Sequence, residues 1–138
     1  MKPKQIYFHL IFIAALILFA VLKQRWDHLE VRKKRDSVNF EYPSIGEKEE
    51  INSKVLALRN PFNGLRLRES VNTVFIEIDD GRKLGISVNG KALNSQKEGI
   101  YIKSIISPGD VIIKNSESDI LYLVKESSPD TLKFKIIF

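Results

Sequence analysis

The sequence predicts an all-β fold, a small barrel or sandwich of six to seven short strands, preceded by one N-terminal transmembrane helix. Residues 6–22 form an apolar run of 17 residues in which His9 is the only strongly polar side chain. From residue 51 onward, apolar and polar side chains alternate with a period of two between tight turns, which is typical of strands. A length of 138 residues suits one small domain, and the absence of cysteine excludes disulfides and thiolate sites.

The apolar run is predicted to be an uncleaved membrane anchor. As a helix it extends about 25 Å, so it crosses a bilayer only with help from flanking lysines and arginines that reach the headgroups. A cleaved signal peptide is the alternative, but Ala20 is preceded by bulky Leu18 at the −2 position, and no A-x-A pattern follows the run. A buried core helix would need a larger protein around it. We therefore expect a single-pass membrane protein whose residues 6–22 contact the lipid bilayer.

The positive charge of the chain belongs to the membrane flanks. Residues 23–37 are rich in helix formers and are predicted to continue the helix, so residues 1–37 form an anchor and a basic juxtamembrane helix. This segment carries six basic and three acidic side chains from residue 23 on, whereas residues 38–138 carry 14 of each. A neutral β domain argues against nucleic-acid binding. The only support for that function is an analogy with small OB-like barrels.

The flanking charges give two readings of orientation. Six basic residues after the apolar run, against Lys2, Lys4 and the α-amine before it, favour a cytoplasmic β domain. Close to the membrane, however, the three charges before the run outnumber Lys23 and Arg25 after it. The N-terminal segment also resembles that of an exported signal anchor. We expect the β domain to be extracytoplasmic.

After a predicted linker at residues 38–50, the β domain is predicted to occupy residues 51–138. The predicted strands span residues 55–58, 71–78, 83–88, 100–106, 111–114, 120–125 and 132–138. The predicted turns, rich in Gly, Pro, Asn and Asp, lie at residues 60–64, 79–81, 89–90, 107–110 and 127–130. Because these segments carry their own turns and apolar faces, a fragment beginning near Phe40 is expected to fold by itself.

Few residues of the sequence suggest catalysis or metal binding. Both histidines lie in the first 28 residues, and the motifs of nucleotide and zinc enzymes do not occur. Adjacent Asp79 and Asp80 could bind a hard cation if other oxygens joined them. Their position before Gly81 instead favours a hairpin turn. We therefore expect a protein that is not an enzyme and has no metal or cofactor.

One stretch is similar to a catalytic motif. The sequence YIKSIISPGD at residues 101–110 resembles the strand-and-turn box of type I signal peptidases, membrane-anchored β enzymes. The resemblance implies a Ser/Lys hydrolase in which Lys103 is the general base, since an apolar environment lowers the pKa of a lysine. The second residue of the box, usually Arg, is Ser104. Ser37, Ser44 and Ser53 lack the Ser-Met-x-Pro context of the family's nucleophile.

A broader resemblance covers nearly the whole chain. The sequences DDGRK at residues 79–83, GDVIIK at 109–114 and SDILYL at 118–123, after an N-terminal helix, are similar to a group of small uncharacterised bacterial membrane-anchored β proteins. The group implies one β unit on an anchor and no known activity. We therefore expect a non-enzymatic binding or scaffolding module with a protein or peptide partner. An exposed sheet edge, or a face with Phe62, Leu65 and Leu67, would make the contact.

Overall fold

The computed structural model describes residues 2–62, 70–93, 100–128 and 130–138. In chain order the elements are α1 (Pro3–Glu41), β1 (Ile51–Arg59), β2 (Thr73–Ile78), β3 (Lys83–Ser87), α2 (Ile102–Ile105), β4 (Val111–Lys114), β5 (Ile120–Val124) and β6 (Thr131–Lys135). The chain divides into two compact units, Met1–Asp36 and Ser37–Phe138, which are described separately. This boundary agrees with the change of composition predicted near residue 38.

Helix α1 is continuous for 39 residues, so the predicted extension of the apolar helix is confirmed. Pro3 lies in its first turn, where a proline costs no hydrogen bond, and residues 4–42 contain neither Gly nor Pro. The helix ends just before Pro43, because the residue preceding a proline is disfavoured in the helical conformation. An 18-residue window of α1 has a mean hydropathy of 2.4 and none of it is buried, so α1 is long and apolar enough to cross a membrane.

The strands form one six-stranded antiparallel sheet in the order β3-β2-β1-β4-β5-β6. The central strand β1 pairs with β4 along its first half and with β2 along its second half. The register shifts between Val55 and Ala57, so Leu56 is the extra residue of a β-bulge. Because a bulge increases local twist, it lets the two halves of the sheet turn toward a common core.

The predicted strands overlap the observed ones except for residues 100–106, but the prediction at residues 55–58 misses the first half of β1, which pairs with β4. The alternation predicted for β2 is confirmed, since Val74, Ile76 and Ile78 are buried while the intervening side chains are half-buried. The buried apolar side chains of all six strands pack in a single core cluster. A one-residue slip of any strand would expose its core face, so this pattern specifies the register.

The predicted closed barrel is wrong, and the strands form one sheet rather than the two of a sandwich. Among the described residues, the chain just beyond the two outer strands meets at an isolated bridge between Val88 and Ile136. Asn89 N donates to the Lys135 carbonyl at 2.7 Å, and Ile137 N donates to the Ser87 carbonyl at 2.9 Å. After Gly90, whose φ is +78°, the chain returns to β6 through Leu93 N, which donates to the Lys133 carbonyl at 2.8 Å. Within the described residues these contacts do not form a continuous ladder between β3 and β6.

Residues 38–50, predicted as a linker, belong to the second unit. Val38, Tyr42 and Ile45 are buried in it. Ser44 forms a parallel bridge with Gly85, whose N–H donates to the Pro43 carbonyl at 3.1 Å. A Cβ at Gly85 would lie 3.0 Å from the Tyr42 carbonyl oxygen, so only glycine lets the segment approach β3 this closely.

The predicted strand at residues 100–106 is wrong, because this segment contains the short helix α2. Ile102 and Ile106 are both buried, four residues apart, and Ile106 N donates to the Ile102 carbonyl at 3.0 Å. This spacing puts both side chains on one helical face toward the core. Tertiary burial therefore overrides the strand preference of a segment rich in isoleucine.

The predicted turn at residues 107–110 is confirmed as a type II turn. Asp110 N donates to the Ser107 carbonyl at 3.2 Å, and Gly109 has a φ of +96°. Pro108 and Gly109 thus occupy the two central positions that a type II turn prefers. Pro129, in the turn predicted at residues 127–130, and residues 63–64 of the turn at 60–64 lie outside the described residues.

We expect a fragment of residues 37–138 to be soluble and rich in β structure. A fragment beginning near Phe40 lacks Val38, and one of residues 47–138 also lacks Tyr42 and Ile45. Burial of such side chains contributes about 2 kcal/mol each, so stability should fall in that order. Circular dichroism with urea unfolding of the three fragments measures this. Equal stability of all three would show that residues 38–45 are not part of the core.

Candidate functional site

Lys103, the lysine that the signal-peptidase resemblance implies as a base, lies exposed on α2. The adjacent Ser104 is also exposed, and its hydroxyl donates to the Tyr101 carbonyl at 2.8 Å. A lysine base needs burial to lower its pKa. The position of Lys103 does not supply that burial, because residues 102–105 form a helix that directs Ile102 rather than Lys103 into the core.

Asp79 and Asp80 form the predicted hairpin turn between β2 and β3. Gly81, with a φ of +89°, donates its N–H to the Ile78 carbonyl at 3.0 Å. Asp80 accepts hydrogen bonds from the backbone N–H of Arg82 at 2.9 Å and from its guanidinium at 2.7 Å. These hydrogen bonds, the backbone one first, lower the pKa of Asp80. Among the described residues, His, Asp and Glu side chains do not cluster in threes as a metal site requires.

Asp110, at the end of the type II turn, is a buried ionic group of the second unit. Its Oδ2 accepts hydrogen bonds from Lys125 Nζ at 2.5 Å and from Ser107 N at 2.9 Å, and its Oδ1 accepts one from Glu126 N at 3.1 Å. Lys125 Nζ also donates to the Ile105 carbonyl at 2.5 Å. The side chains of Asp110 and Lys125 are 2% and 11% exposed. This pair joins the end of α2, the turn and the end of β5.

Competing effects set the charge of Asp110. Burial alone would raise its pKa, but the hydrogen bonds from Lys125, Glu126 N and Ser107 N outweigh it, and the net pKa is lowered. The carboxylate therefore stays ionised next to the ammonium group. Gly109, next to Asp110, has a φ of +96°, a conformation that strains other residues, so the glycine supports the turn that places this carboxylate.

A second buried cation, Lys114, ends strand β4. Its residue is 1% exposed, and Nζ donates to the carbonyls of Glu47, Glu49 and Asn115 at 2.7, 2.8 and 3.1 Å. The ring of Phe138 lies 5.4 Å from Nζ. All three protons of the ammonium group have acceptors, which satisfies a buried lysine without a carboxylate. Lys114 thus holds residues 47–49 against β4.

These two lysines were not singled out by sequence reasoning, which selected Lys103. Lys114 follows the apolar alternation of Val111 to Ile113 in phase with the buried Ile112. That phase is the signal that could have identified it, because a lysine on a core face must find acceptors. The donors and acceptors around Lys114 and Asp110 satisfy one another. Such an arrangement stabilises loops, and it does not prepare a nucleophile or a base for reaction.

The predicted apolar face with Phe62, Leu65 and Leu67 is described only in part. Leu65 and Leu67 lie outside the described residues. Phe62 is half-buried and packs edge-on against Phe75 at 5.7 Å between ring centroids, and Tyr42 packs on the same ring at 5.6 Å. The described part of this face therefore packs the segment that follows α1 against β2, as an aromatic cluster of Tyr42, Phe62 and Phe75.

The sheet edges, predicted as a site for a peptide strand, are paired along much of the described chain. On β6, the carbonyls of Lys133 and Lys135 accept hydrogen bonds from Leu93 N at 2.8 Å and Asn89 N at 2.7 Å. On β3, Gly85 N donates to Pro43 as described above. Since strand addition needs unpaired backbone groups, these contacts leave little edge for it.

Exposed apolar side chains lie on the second half of β1. Leu56 at the bulge is 56% exposed, and Leu58 is 38% exposed. Both belong to the exposed positions of β1, which alternate with buried Ile51, Ser53 and Val55 along its first half. This leucine pair, Leu56 and Leu58, is a candidate surface for apolar contact.

Comparison of the chain with protein-family models, with curated proteins and with solved structures finds no match.

Proposed function

We propose that this protein is a single-pass membrane protein that presents a non-enzymatic β domain as a binding or scaffolding module. The observation that carries the proposal is α1, whose apolar window is not buried within the protein. An exposed apolar helix of this length is stable in lipid and costly in water. The net neutral charge of residues 38–138 and the mutually satisfied buried ions favour binding over catalysis or nucleic-acid contact.

We further propose that the partner is a protein that contacts the leucine pair, Leu56 and Leu58. Isolated exposed leucines are common. Two exposed leucines two residues apart on a strand offer an apolar contact that a partner can remove from water, as at the centres of interfaces. The pairing of the described sheet edges favours this side-chain contact over strand addition.

Site-specific photocrosslinking in native membranes tests the partner proposal. A photoreactive residue at Leu56 should give a discrete adduct with another protein, whereas one at Ser127, exposed in a turn, should give none. The variant Leu58→Lys should weaken the Leu56 adduct. If the photoreactive residue gives no adduct with another protein at either position, the binding-module proposal is wrong.

The β domain is proposed to be extracytoplasmic, as the charges closest to the membrane favour. Because the chain has no cysteine, single cysteines at Ser127 and at Lys4 report on the two sides without background. In intact cells, a membrane-impermeant maleimide should label Ser127→Cys, while Lys4→Cys should react only after lysis. The reverse pattern would place the domain in the cytoplasm.

A further inference from the structure

A basic stripe runs along the part of α1 that follows the apolar run. Arg25, His28, Arg32 and Arg35 recur at spacings of three and four residues and occupy an arc of about 80° of the helix. Together with Leu29 and Val31 they line an open depression of about 670 Å³. We name the four residues the basic stripe.

The other charged side chains of this segment are arranged differently. Lys23, Lys33 and Lys34 project from the remaining circumference of the helix. The carboxylate of Glu30 accepts a hydrogen bond from the Trp26 indole at 3.0 Å, on the side opposite the stripe. Asp36 is the acidic residue nearest to the stripe, beyond its far end. Within the described part of the chain, the three arginines of the stripe form no ion pairs.

The position of the stripe relative to lipid follows from the continuity of α1 and from the proposed membrane span of residues 6–22, on which this inference rests. Arg25 is three residues beyond Leu22, about 4.5 Å along the axis, whereas Arg35 is about 20 Å away. The headgroup layer is about 5–7 Å thick on each side of the hydrocarbon. Helical side chains also lean toward the N-terminus, which here is the direction of the membrane. Arg25 therefore reaches the headgroups, and Arg32 lies within about one Debye length of them.

The apolar run itself is short, which strengthens this placement. Its length of about 25 Å is less than the hydrocarbon thickness of about 30 Å. Such a mismatch is relieved by thinning the bilayer and by drawing flanking basic residues to the interface. The first turn of the stripe is thereby held among lipid phosphates.

We propose that the basic stripe binds anionic phospholipid headgroups and enriches them around the protein. The guanidinium groups donate paired hydrogen bonds to phosphate oxygens, a geometry that an ammonium group does not offer. The contribution of each residue declines along the axis, from Arg25 through Arg32 to Arg35.

Energy transfer from Trp26, the single tryptophan of the chain, measures this enrichment for the full protein in phosphatidylcholine liposomes. The acceptor is a trace of acyl-labelled phosphatidylglycerol or acyl-labelled phosphatidylcholine. One arginine at a charged surface corresponds to about a fivefold preference. We expect a several-fold excess of transfer to the anionic lipid, which declines as salt is raised. Equal transfer to both lipids would overturn the proposal.

Matched variants distinguish lipid binding by the basic stripe from attraction of anionic lipid by the net positive charge of the helix. The double variant Arg32→Gln, Arg35→Gln should lose a clear part of the excess, while Lys33→Gln, Lys34→Gln, with the same net charge at the same distance from the apolar run, should keep it. Arg32→Gln alone should lose part, and circular dichroism in the same liposomes monitors the helix. Equal losses in the two double variants would refute a specific stripe. Loss of the excess on adding inorganic phosphate, but not on adding chloride to the same ionic strength, would assign the stripe to free phosphate instead.

Discussion

Replacing Asp110 by Asn in the fragment of residues 37–138 is expected to destabilise it by about 3–5 kcal/mol, enough to unfold a marginal domain. Asparagine has nearly the shape of aspartate but no charge, so the ammonium group of Lys125, at 2.5 Å in the native protein, loses its carboxylate partner while it stays buried. Urea unfolding followed by circular dichroism measures the loss.

Two comparisons make the Asp110 result interpretable. Asp119→Asn removes an exposed carboxylate that lies 3.8 Å from Lys135, and it should change stability little. The double variant Asp110→Asn, Lys125→Met should be less destabilised than the sum of the single variants, since the unpaired charge is removed as well. If Asp110→Asn behaves like Asp119→Asn, the pair does not hold the turn and α2 together.

The same pair predicts a dependence on acid. Because the folded pKa of Asp110 lies below its usual value, its stabilising contribution is fully present above about pH 4 and is lost as the pH falls through the folded pKa. The Tm difference between the native fragment and Asp110→Asn should therefore shrink in strong acid. A difference that is constant from pH 7 to pH 2 would contradict this origin.

The sequence was sufficient where local and tertiary preferences agree. The apolar run, the turns at Asp79 to Gly81 and Ser107 to Asp110, and the alternation of β2 all appear in the structure as predicted. Each depends on side chains close in sequence, so its physical cause can be read directly from the residues. The continuity of α1 through the basic segment follows in the same way from residues without Gly or Pro.

The sequence was insufficient where distant residues decide the outcome. Helix α2 forms because Ile102 and Ile106 both reach the core, although isoleucine-rich segments usually form strands. Closure of the sheet depends on the length over which β3 and β6 pair with each other. Local sequence patterns do not predict this length, because the two strands are distant in the chain. The burial of Lys114 and Lys125 depends on carbonyls up to 67 residues away. The sequence alone therefore does not distinguish these buried lysines from the exposed Lys103 as candidate functional residues.

Lys114→Met is expected to cost about 3 kcal/mol, the second largest effect. Methionine retains the apolar stem but removes the three donors. Hydrogen bonds from a charged group contribute about 1.5–3 kcal/mol each, and the cost of burying the ammonium group, which methionine avoids, is subtracted from their sum. The three carbonyl acceptors belong to Glu47, Glu49 and Asn115, so the loss should be local.

Hydrogen exchange distinguishes this local effect from general weakening. Glu49 N donates to the Gly46 carbonyl and Glu117 N donates to the Glu47 carbonyl, so each hydrogen bond has one partner in residues 47–49, the segment that Lys114 holds. These two amides should exchange faster in Lys114→Met under native conditions, while the amides between β2 and β3 keep their relative protection. Lys54→Met, the same change at an exposed position of β1, is the matched control. Uniformly faster exchange, or an equal response in Lys54→Met, would show that the carbonyl contacts of Lys114 do not fix residues 47–49.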